Sequence, residues 1–298
     1  MSEPLSNSEK VRYARHLTLP QVGAKGQEKL KNSSILVVGA GGLGSPSLLY
    51  LAAAGIGKIG IIDDDIVEIT NLQRQVIHGT SSLGISKVLS AKEKLLDLNP
   101  EISITAYNSR INMANALDLI NQFDIIIDGT DNFTTRYLIN DACEILGKPW
   151  IFGSIHQFEG QVSVFNLEKG LNYRDLFPEM PPIDLAPNCA EAGVLGVLPG
   201  IIGSIQSTEA IKIILEIGDI LSGKLLVFNA LNMSSRILKF NGNASRPLVT
   251  ELSLEAEYCM SNNENNPLEI TPLEFKNKKE NGWRPFLLDV RRADEELI

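Results

Sequence analysis

A glycine-rich turn followed at a distance by an acid is the clearest chemical signal in the sequence. Four glycines make up most of the turn: Gly39, Gly41, Gly42 and Gly44. Glycines let the backbone approach a phosphate closely, and the free N–H groups at the start of a following helix attract the anion. Asp63 follows Gly44 by 19 residues, where an acidic side chain meets the hydroxyl groups of a ribose. The pattern predicts a nucleotide site.

Two buried strands and a helix have to position these residues. Residues 35–38 (ILVV) and 59–62 (IGII) show no polar alternation, which is typical of parallel strands covered by helices on both faces. The apolar residues 48–54 between them predict a helix. Strand, turn, helix and strand form a βαβ pocket, which suits a dinucleotide oxidoreductase and an ATP-using enzyme equally well.

Further strands and helices alternate along the chain, and the periodicity then changes. Helices are predicted over 86–98, 113–121 and 133–146, and strands over 102–107 and 124–128. Residues 150–155 and 161–167 predict a hairpin around Glu159-Gly160, with later strands at 225–229 and 237–240. We therefore predict an α/β fold: a Rossmann-like, doubly wound, mostly parallel sheet extended by antiparallel strands.

Composition and charge exclude several classes of protein. With 298 residues, 44% of them hydrophobic, the chain can bury a substantial core. A net charge of -9 argues against binding to nucleic acid or to an anionic membrane, because both need a basic surface. The most apolar long window, residues 194–217, contains Gln206, Glu209 and Lys212, so we predict a buried helix and no membrane span.

The cysteines and the N-terminal residues indicate where in the cell the protein is located. No secretion signal is evident, and three widely spaced cysteines fit a reducing cytosol. We therefore predict a cytoplasmic protein.

Changes in composition along the chain predict its domains. Residues 1–241 are predicted to form the nucleotide-binding domain. The polar, Asn-rich residues 242–267 are predicted to form a linker, and residues 268–298 the incomplete start of a second domain.

Several motifs occur together in a characteristic order. They are GAGGLG at 39–44, Asp63 and Asp65, NLQRQ at 71–75, Lys87, and TDN at 130–132. In this order and spacing, residues 12–240 resemble the ThiF/MoeB/HesA-type sulfur-carrier adenylyltransferases of molybdopterin and thiamine biosynthesis, in the ubiquitin-activating-enzyme superfamily. The segment from Thr271, with LLDVR at 287–291, resembles the opening of a rhodanese domain.

The resemblance implies ATP-dependent adenylylation of the C-terminal glycine of a ubiquitin-like sulfur-carrier protein that ends in Gly-Gly, with release of pyrophosphate. The attacking carboxylate is already ionised at neutral pH, so the site needs cations more than it needs a base. Arg74 and Lys87 would neutralise the phosphates, and Asp131 would hold Mg²⁺. The implied nucleotide-binding set is Gly39, Gly41, Gly42, Gly44, Asp63, Asp65, Asn71, Arg74, Lys87, Asp131 and Asn132.

Two more residues receive roles from the resemblance. It implies a homodimer in which Arg15 enters the neighbouring subunit's site. A cysteine at the position of Cys189 forms a covalent adduct with the activated carrier in related proteins, and Cys189 precedes a predicted helix whose positive end would favour its thiolate. Burial as a small hydrophobic residue is the alternative for Cys189.

One departure from the family pattern concerns zinc. Many relatives hold a structural Zn²⁺ with two CxxC pairs, whereas this chain has residues 172–175 (NYRD) at the first pair and no CxxC. Three scattered cysteines cannot make a four-thiolate site. We therefore predict that zinc is absent and that packing alone holds this loop. The three histidines, His16, His78 and His156, show no ligand spacing.

Other functions stay open at this point. An NAD(P)-dependent oxidoreductase would also use the glycine turn and Asp63, but it would leave Arg74, Lys87 and Asp131 without a role. A nucleotide-binding scaffold that has lost catalysis is a third possibility. Taken singly, an Asp after a buried strand usually caps a helix, and lone basic residues usually lie on the surface.

Overall fold

Eight strands form one sheet at the centre of the fold. The computed structural model describes residues 4–180, 193–242, 246–252, 276–279 and 281. The strands are β1 (Ser34–Val38), β2 (Lys58–Ile62), β3 (Ser103–Tyr107), β4 (Ile125–Asp128), β5 (Trp150–His156), β6 (Glu159–Phe165), β7 (Lys224–Asn229) and β8 (Ser234–Lys239). Their order is β3-β2-β1-β4-β5-β6-β7-β8, parallel from β3 to β5 and antiparallel from β5 to β8. The predicted fold class is confirmed.

Helices cover both faces of the sheet. They are α1 (Asn7–Arg12), α2 (Ala14–Leu17), α3 (Gly23–Lys31), α4 (Gly44–Ala54), α5 (Lys87–Leu98), α6 (Ala116–Asn121), α7 (Phe133–Leu146), α8 (Tyr173–Leu176) and α9 (Leu198–Leu215). Helices α3, α4, α5 and α9 pack into one hydrophobic core, and α6, α7 and α8 into the other. Alternate residues of β1 enter opposite cores, since Val37 lies in the first and Leu36 in the second. Both faces of the strand are therefore buried, as its apolar sequence predicts.

The chain divides into two compact units, Met1–Glu257 and Tyr258–Ile298. All the strands and helices named above lie in the first unit. In the second, residues 276–279 form a helical turn. The predicted linker at 242–267 and rhodanese-like start at 268–298 fall largely outside the described residues and stay predictions.

The β5–β6 hairpin turns earlier than predicted. His156 pairs with Glu159, so the turn is Gln157-Phe158 and not Glu159-Gly160. Gly160 instead lies within β6, where a Cβ atom would overlap the side chain of Ile202 on α9. The sequence pattern was misleading because this glycine serves close helix packing and not chain reversal.

Ion pairs hold the segment around α8, so the expectation that packing alone holds it is wrong. Arg174 donates to both carboxylate oxygens of Asp141 at 2.8 Å. Arg246, which follows β8, donates to the two carboxylate oxygens of Glu144 at 3.1 and 3.0 Å. Asp141 and Glu144 lie on successive turns of α7, so this helix anchors both the α8 segment and the chain after β8.

Among the described residues, none of the helices has the length and apolar character needed to cross a bilayer.

Candidate active site

The predicted nucleotide residues gather where three neighbouring strands end. Strand β1 runs into the glycine turn, β2 into Asp63, and β4 into Gly129 and Thr130. Strand β4 pairs with β1 on the side opposite β2, so the strand order reverses between β1 and β4. Open α/β sheets bind their ligands in the crevice at such a reversal, beyond the carboxyl ends of the strands.

The glycine turn is shaped by a close approach of two backbone segments. Gly39 has a φ of 94°, a conformation that side chains with a Cβ rarely adopt. A Cβ atom on Gly39 would lie 2.9 Å from the carbonyl oxygen of Gly129, and one on Gly44 would overlap the carbonyl oxygen of Gly39. By contrast, among the described residues a Cβ atom on Gly41 would meet only Gln75, at 3.6 Å. Gly39 and Gly44 are thus required by the fold, whereas Gly41 has room for a Cβ atom at ordinary contact distance.

The peptide of Ala40, within the turn, is held from both sides. Its N–H donates to Asp63 Oδ2 at 2.8 Å, and its carbonyl oxygen lies 2.9 Å from His78 Nε2. Because a carbonyl only accepts, Nε2 carries the proton, and Nδ1 accepts from the hydroxyl of Ser90 at 2.9 Å. Burial lowers the pKa of His78, despite the bond to Ala40. His78 is therefore neutral and holds the carbonyl group of Ala40 in place. The spacing of residues in the sequence did not indicate this role.

Asp63 lies at the end of β2, as predicted, and its carboxylate is already engaged. It accepts the N–H of Ala40 and, through Oδ1, the N–H of Asp65 at 2.9 Å. Burial raises the pKa of this carboxyl, and the two backbone donors oppose the rise. Each oxygen keeps a second lone pair, so Asp63 can still accept a hydrogen bond from a ribose hydroxyl.

Lys87, the first residue of α5, points its ammonium group into the same crevice. Its Nζ lies 2.7 Å from Asp65 Oδ2. The backbones of the two residues are also hydrogen-bonded, because the Lys87 N–H donates to the Asp65 carbonyl at 2.9 Å. The structure therefore brings two predicted site residues into a direct ion pair.

The loop at 69–78 lies beside the glycine turn. A Cβ atom on Gly42 would come within 3.7 Å of Arg74 Cγ, and Arg74 donates to the carbonyl of Thr70 at 3.1 Å. The side chain of Asn71 is buried, and its Oδ1 accepts the N–H of Glu68 at 3.2 Å. Arg74 therefore lies against the turn, while Asn71 shapes the loop.

Asp131 and Asn132 follow β4 and are both exposed. Asn132 caps α7, accepting the N–H of Thr135 at 2.8 Å. The carboxylate of Asp131 makes no hydrogen bond or ion pair within the described part of the chain. Helix capping thus falls to Asn132, which leaves Asp131 available for a ligand.

Two buried charges behind Asp131 were missed by sequence reasoning. Asp128, the last residue of β4, is completely buried, and burial raises the pKa of its carboxyl although Arg136 and Thr130 oppose the rise. Arg136 Nε lies 3.5 Å from Asp128 Oδ2, and its guanidinium lies over the rings of Phe133 and Phe152. The available signal was an acid ending an otherwise apolar strand.

Arg15 does not join the other site residues. It is exposed on α2, next to Tyr13, which packs against Gly55 at the carboxyl end of α4. The glycine turn precedes the amino end of α4, about 16 Å away along an 11-residue helix. Cys189 lies outside the described residues, whereas Cys143 is buried in the core on α7.

The acidic residues also define where a cation could bind. Within the described ranges, the ligand atoms of Asp63, Asp64 and Asp65 come within 4.8 Å of one another. Asp131 lies at the end of β4, two strands across from Asp63 at the end of β2. Exposed carboxylate oxygens at this edge of the sheet suit Mg²⁺, which binds one or two carboxylates together with phosphate oxygens.

Taken together, the crevice combines a glycine turn, two cations and exposed carboxylates at one edge of the sheet. The turn and the start of α4 offer backbone N–H groups to an anion. Arg74 and Lys87 add positive charge beside it. Such a site can bind a nucleoside triphosphate and stabilise negative charge that develops on its phosphates.

Comparisons with known proteins agree with this geometry. Residues 13–248 match the ThiF family. The chain is 48% identical over 296 residues to the probable adenylyltransferase/sulfurtransferase MoeZ of Mycobacterium tuberculosis, covering 96% of this chain and 76% of that protein. It is also 48% identical over 251 residues to the sulfur carrier protein adenylyltransferase of Thermus thermophilus, covering 83% of this chain and 93% of that protein.

The fold also occurs among solved structures. The structure of MccB from E. coli with ATP has a TM-score of 0.68 to this chain at 23% sequence identity, and the likeness covers 80% of this chain and 74% of that one. At this level of identity the likeness concerns the fold alone.

Proposed function

This chain belongs to the ThiF family, and from that premise we propose that its crevice binds ATP and that Arg74, Lys87 and Asp131 act on the triphosphate. The chain is an adenylyltransferase, as are the named relatives at 48% identity over most of its length. This assignment is favoured over an NAD(P)-dependent oxidoreductase. The substrate is the C-terminal glycine of a ubiquitin-like sulfur-carrier protein.

In the proposed reaction, the carrier's terminal carboxylate attacks the α-phosphorus of ATP. A new bond forms between a carboxylate oxygen and this phosphorus, and the bond from phosphorus to the bridging oxygen of the β-phosphate breaks. Pyrophosphate leaves with the electron pair, and the carrier becomes an acyl-adenylate. No proton has to move, because the carboxylate is ionised at neutral pH.

In this proposal, positively charged groups beside the phosphates provide most of the catalysis. Two anionic reactants repel each other, so positive groups fixed beside the phosphates lower the barrier. Arg74 lies against Gly42, and Lys87 is buried at the start of α5. Asp63 would accept a hydroxyl of the ribose, and Asp131 would hold Mg²⁺, which neutralises phosphate charge when bound.

One observation supports this function above the others: the Lys87 ammonium is buried at the crevice with a carboxylate as its only charged contact among the described residues. A triphosphate can replace or share that contact.

The test is ATP–pyrophosphate exchange in the presence of a carrier protein that ends in Gly-Gly. We expect exchange by the wild-type chain and a loss of about 10²- to 10³-fold in Lys87→Met, the scale of removing one preorganised electrostatic group. Lys94→Met is the matched control, because Lys94 lies on the same helix but is exposed, and it should exchange normally. Exchange unaffected by Lys87→Met would refute the assigned role, and NADH binding without exchange would refute the function.

We also propose that the chain works as a homodimer in which Arg15 reaches the partner's site. Arg15 is exposed and lies at the end of α4 away from its own glycine turn. Mixing inactive Arg15→Ala subunits with inactive Lys87→Met subunits would create dimers with one intact site. Recovery of exchange on mixing is expected; its absence in a mixture proven to form mixed dimers would contradict the proposal.

Cys189 and the C-terminal segment enter after activation in this proposal. Cys189→Ala should leave exchange intact and remove only a later covalent adduct with the carrier. The relative MoeZ carries sulfurtransferase in its name, which supports reading residues 268–298 as the start of a rhodanese-like domain. The absence of zinc and the cytoplasmic location stay predictions from the sequence.

A further inference from the structure

The buried pair formed by Asp128 and Arg136 surrounds a single backbone position. Asp128 Oδ1 accepts both the N–H of Thr130, at 2.8 Å, and its hydroxyl, at 2.6 Å. Arg136 donates from its terminal nitrogen to the carbonyl oxygen of Thr130 at 3.1 Å. All three polar groups of Thr130 are therefore held, and Thr130 is the residue before Asp131.

The pair is itself fixed by its surroundings. The carbonyl of Asp128 accepts from Gln206 on α9 at 2.7 Å, and the Arg136 side chain is only 5% exposed. Yet, within the ranges that the structure describes, Asp128 Oδ2 and Arg136 Nε have no hydrogen-bond partner, although they lie 3.5 Å apart as an ion pair. Burying two charges is costly, and here their best hydrogen bonds go to Thr130 and not to each other.

We propose that Asp128 and Arg136 are positioning residues that fix the backbone at Thr130 and thereby aim the Asp131 carboxylate at the metal–nucleotide complex. The proposal rests on the proposed function, because it takes Asp131 to hold Mg²⁺. Residues that support a metal ligand through hydrogen bonds orient that ligand, and their loss typically weakens metal binding by roughly 10- to 100-fold.

The experiment measures binding of the non-hydrolysable analogue α,β-methylene ATP to the full chain, with Mg²⁺ and with EDTA, in the absence of carrier. The readout is the ratio of the two affinities. Thr130→Val removes only the hydroxyl donor, and Thr130→Ser restores it. Asp128→Asn combined with Arg136→Met removes both charges together, so that neither is left buried alone.

We expect Thr130→Val and the double variant to lower the Mg²⁺-dependent gain in affinity, the double variant by roughly 10- to 100-fold, with little change in EDTA. Thr130→Ser should recover the wild-type ratio. On an Asp131→Asn background neither change should lower the ratio further, because the pair acts through Asp131. A merely structural role would instead weaken binding equally with Mg²⁺ and with EDTA, which would overturn the proposal.

The two proposals fail in different ways. If Asp131→Asn keeps the full Mg²⁺-dependent gain, the metal assignment to Asp131 is wrong and the positioning role falls with it. If Asp131→Asn loses the gain while folded Thr130→Val keeps it, only the positioning role is refuted. Should the double variant fail to fold, the comparison of Thr130→Val with Thr130→Ser still decides the question.

Discussion

Lys87 and Asp65 form an ion pair across the candidate crevice in which the lysine side chain is 7% exposed and the aspartate side chain 60% exposed. The lysine is thus fixed by packing, while its partner faces solvent. A carboxylate in this position can yield to an incoming phosphate without leaving a buried charge unpaired.

The exposure of Asp65 sets the strength of this pair. In a double-mutant cycle with Asp65→Asn and Lys87→Met, we expect a coupling of about 1 kcal/mol in the free energy of unfolding, since solvent screens one partner. Urea denaturation without nucleotide measures it. Asp64 and Arg110 are the matched control pair, because they lie 3.2 Å apart with both side chains well exposed. A coupling at Asp65–Lys87 no larger than that of the control would contradict the prediction.

The glycines of the turn should separate folding from nucleotide binding. Gly44→Ala should destabilise the fold by about 3 kcal/mol, the upper range for a forced overlap in a packed region. Gly41→Ala should fold normally, because its Cβ lies in ordinary contact with Gln75 at 3.6 Å, but should lose ATP binding. Urea denaturation and ATP titration test the two effects. A Gly41→Ala protein that binds ATP like the wild type would show that this glycine does not line the site.

Because of His78, the free energy of unfolding should decrease as the pH falls into the acidic range. Burial lowers its pKa in the folded protein, whereas the unfolded chain titrates near 6.5. Below about pH 6.5 the unfolded state therefore binds more protons, so the stability held by neutral His78 is lost as the pH falls. Asp63 and Asp128, whose pKa values are raised, act in the opposite direction.

The contribution of His78 is isolated by comparing variants over about pH 5 to 8. The free energy of unfolding should depend less on pH in His78→Gln than in the wild type. His156→Gln, which removes an exposed imidazole, should keep the wild-type profile. Identical profiles for all three proteins would mean that His78 is not held neutral.

Arg246 should tie the chain after β8 to α7. Arg246→Met removes two charge-assisted hydrogen bonds to Glu144 and should lower the free energy of unfolding by about 2 kcal/mol. Arg236→Met, on the exposed strand β8, should change it by no more than about 0.5 kcal/mol. Thermal unfolding with and without EDTA should coincide if ion pairs and not zinc hold this region. Equal stability of the two variants would argue against the anchoring role.

Local patterns along the chain determined the elements and most of the residues that line the candidate crevice. The apolar run before Gly39 specifies a strand buried on both faces, and the acid after β2 lies at the predicted strand end. Such features depend on side-chain periodicity and on backbone sterics within a few residues. The order of the motifs along the chain is sufficient to identify the ThiF family.

The packing of strands and helices brings together residues that are far apart in sequence. His78 reaches Ala40 across 38 residues, and Arg246 reaches Glu144 across 102. Gln206 reaches Asp128 because α9 crosses the sheet beside β4 and β5. A buried polar group meets its partner through strand order and helix packing, which no local spacing encodes. These long-range hydrogen bonds are therefore evident only in the folded chain.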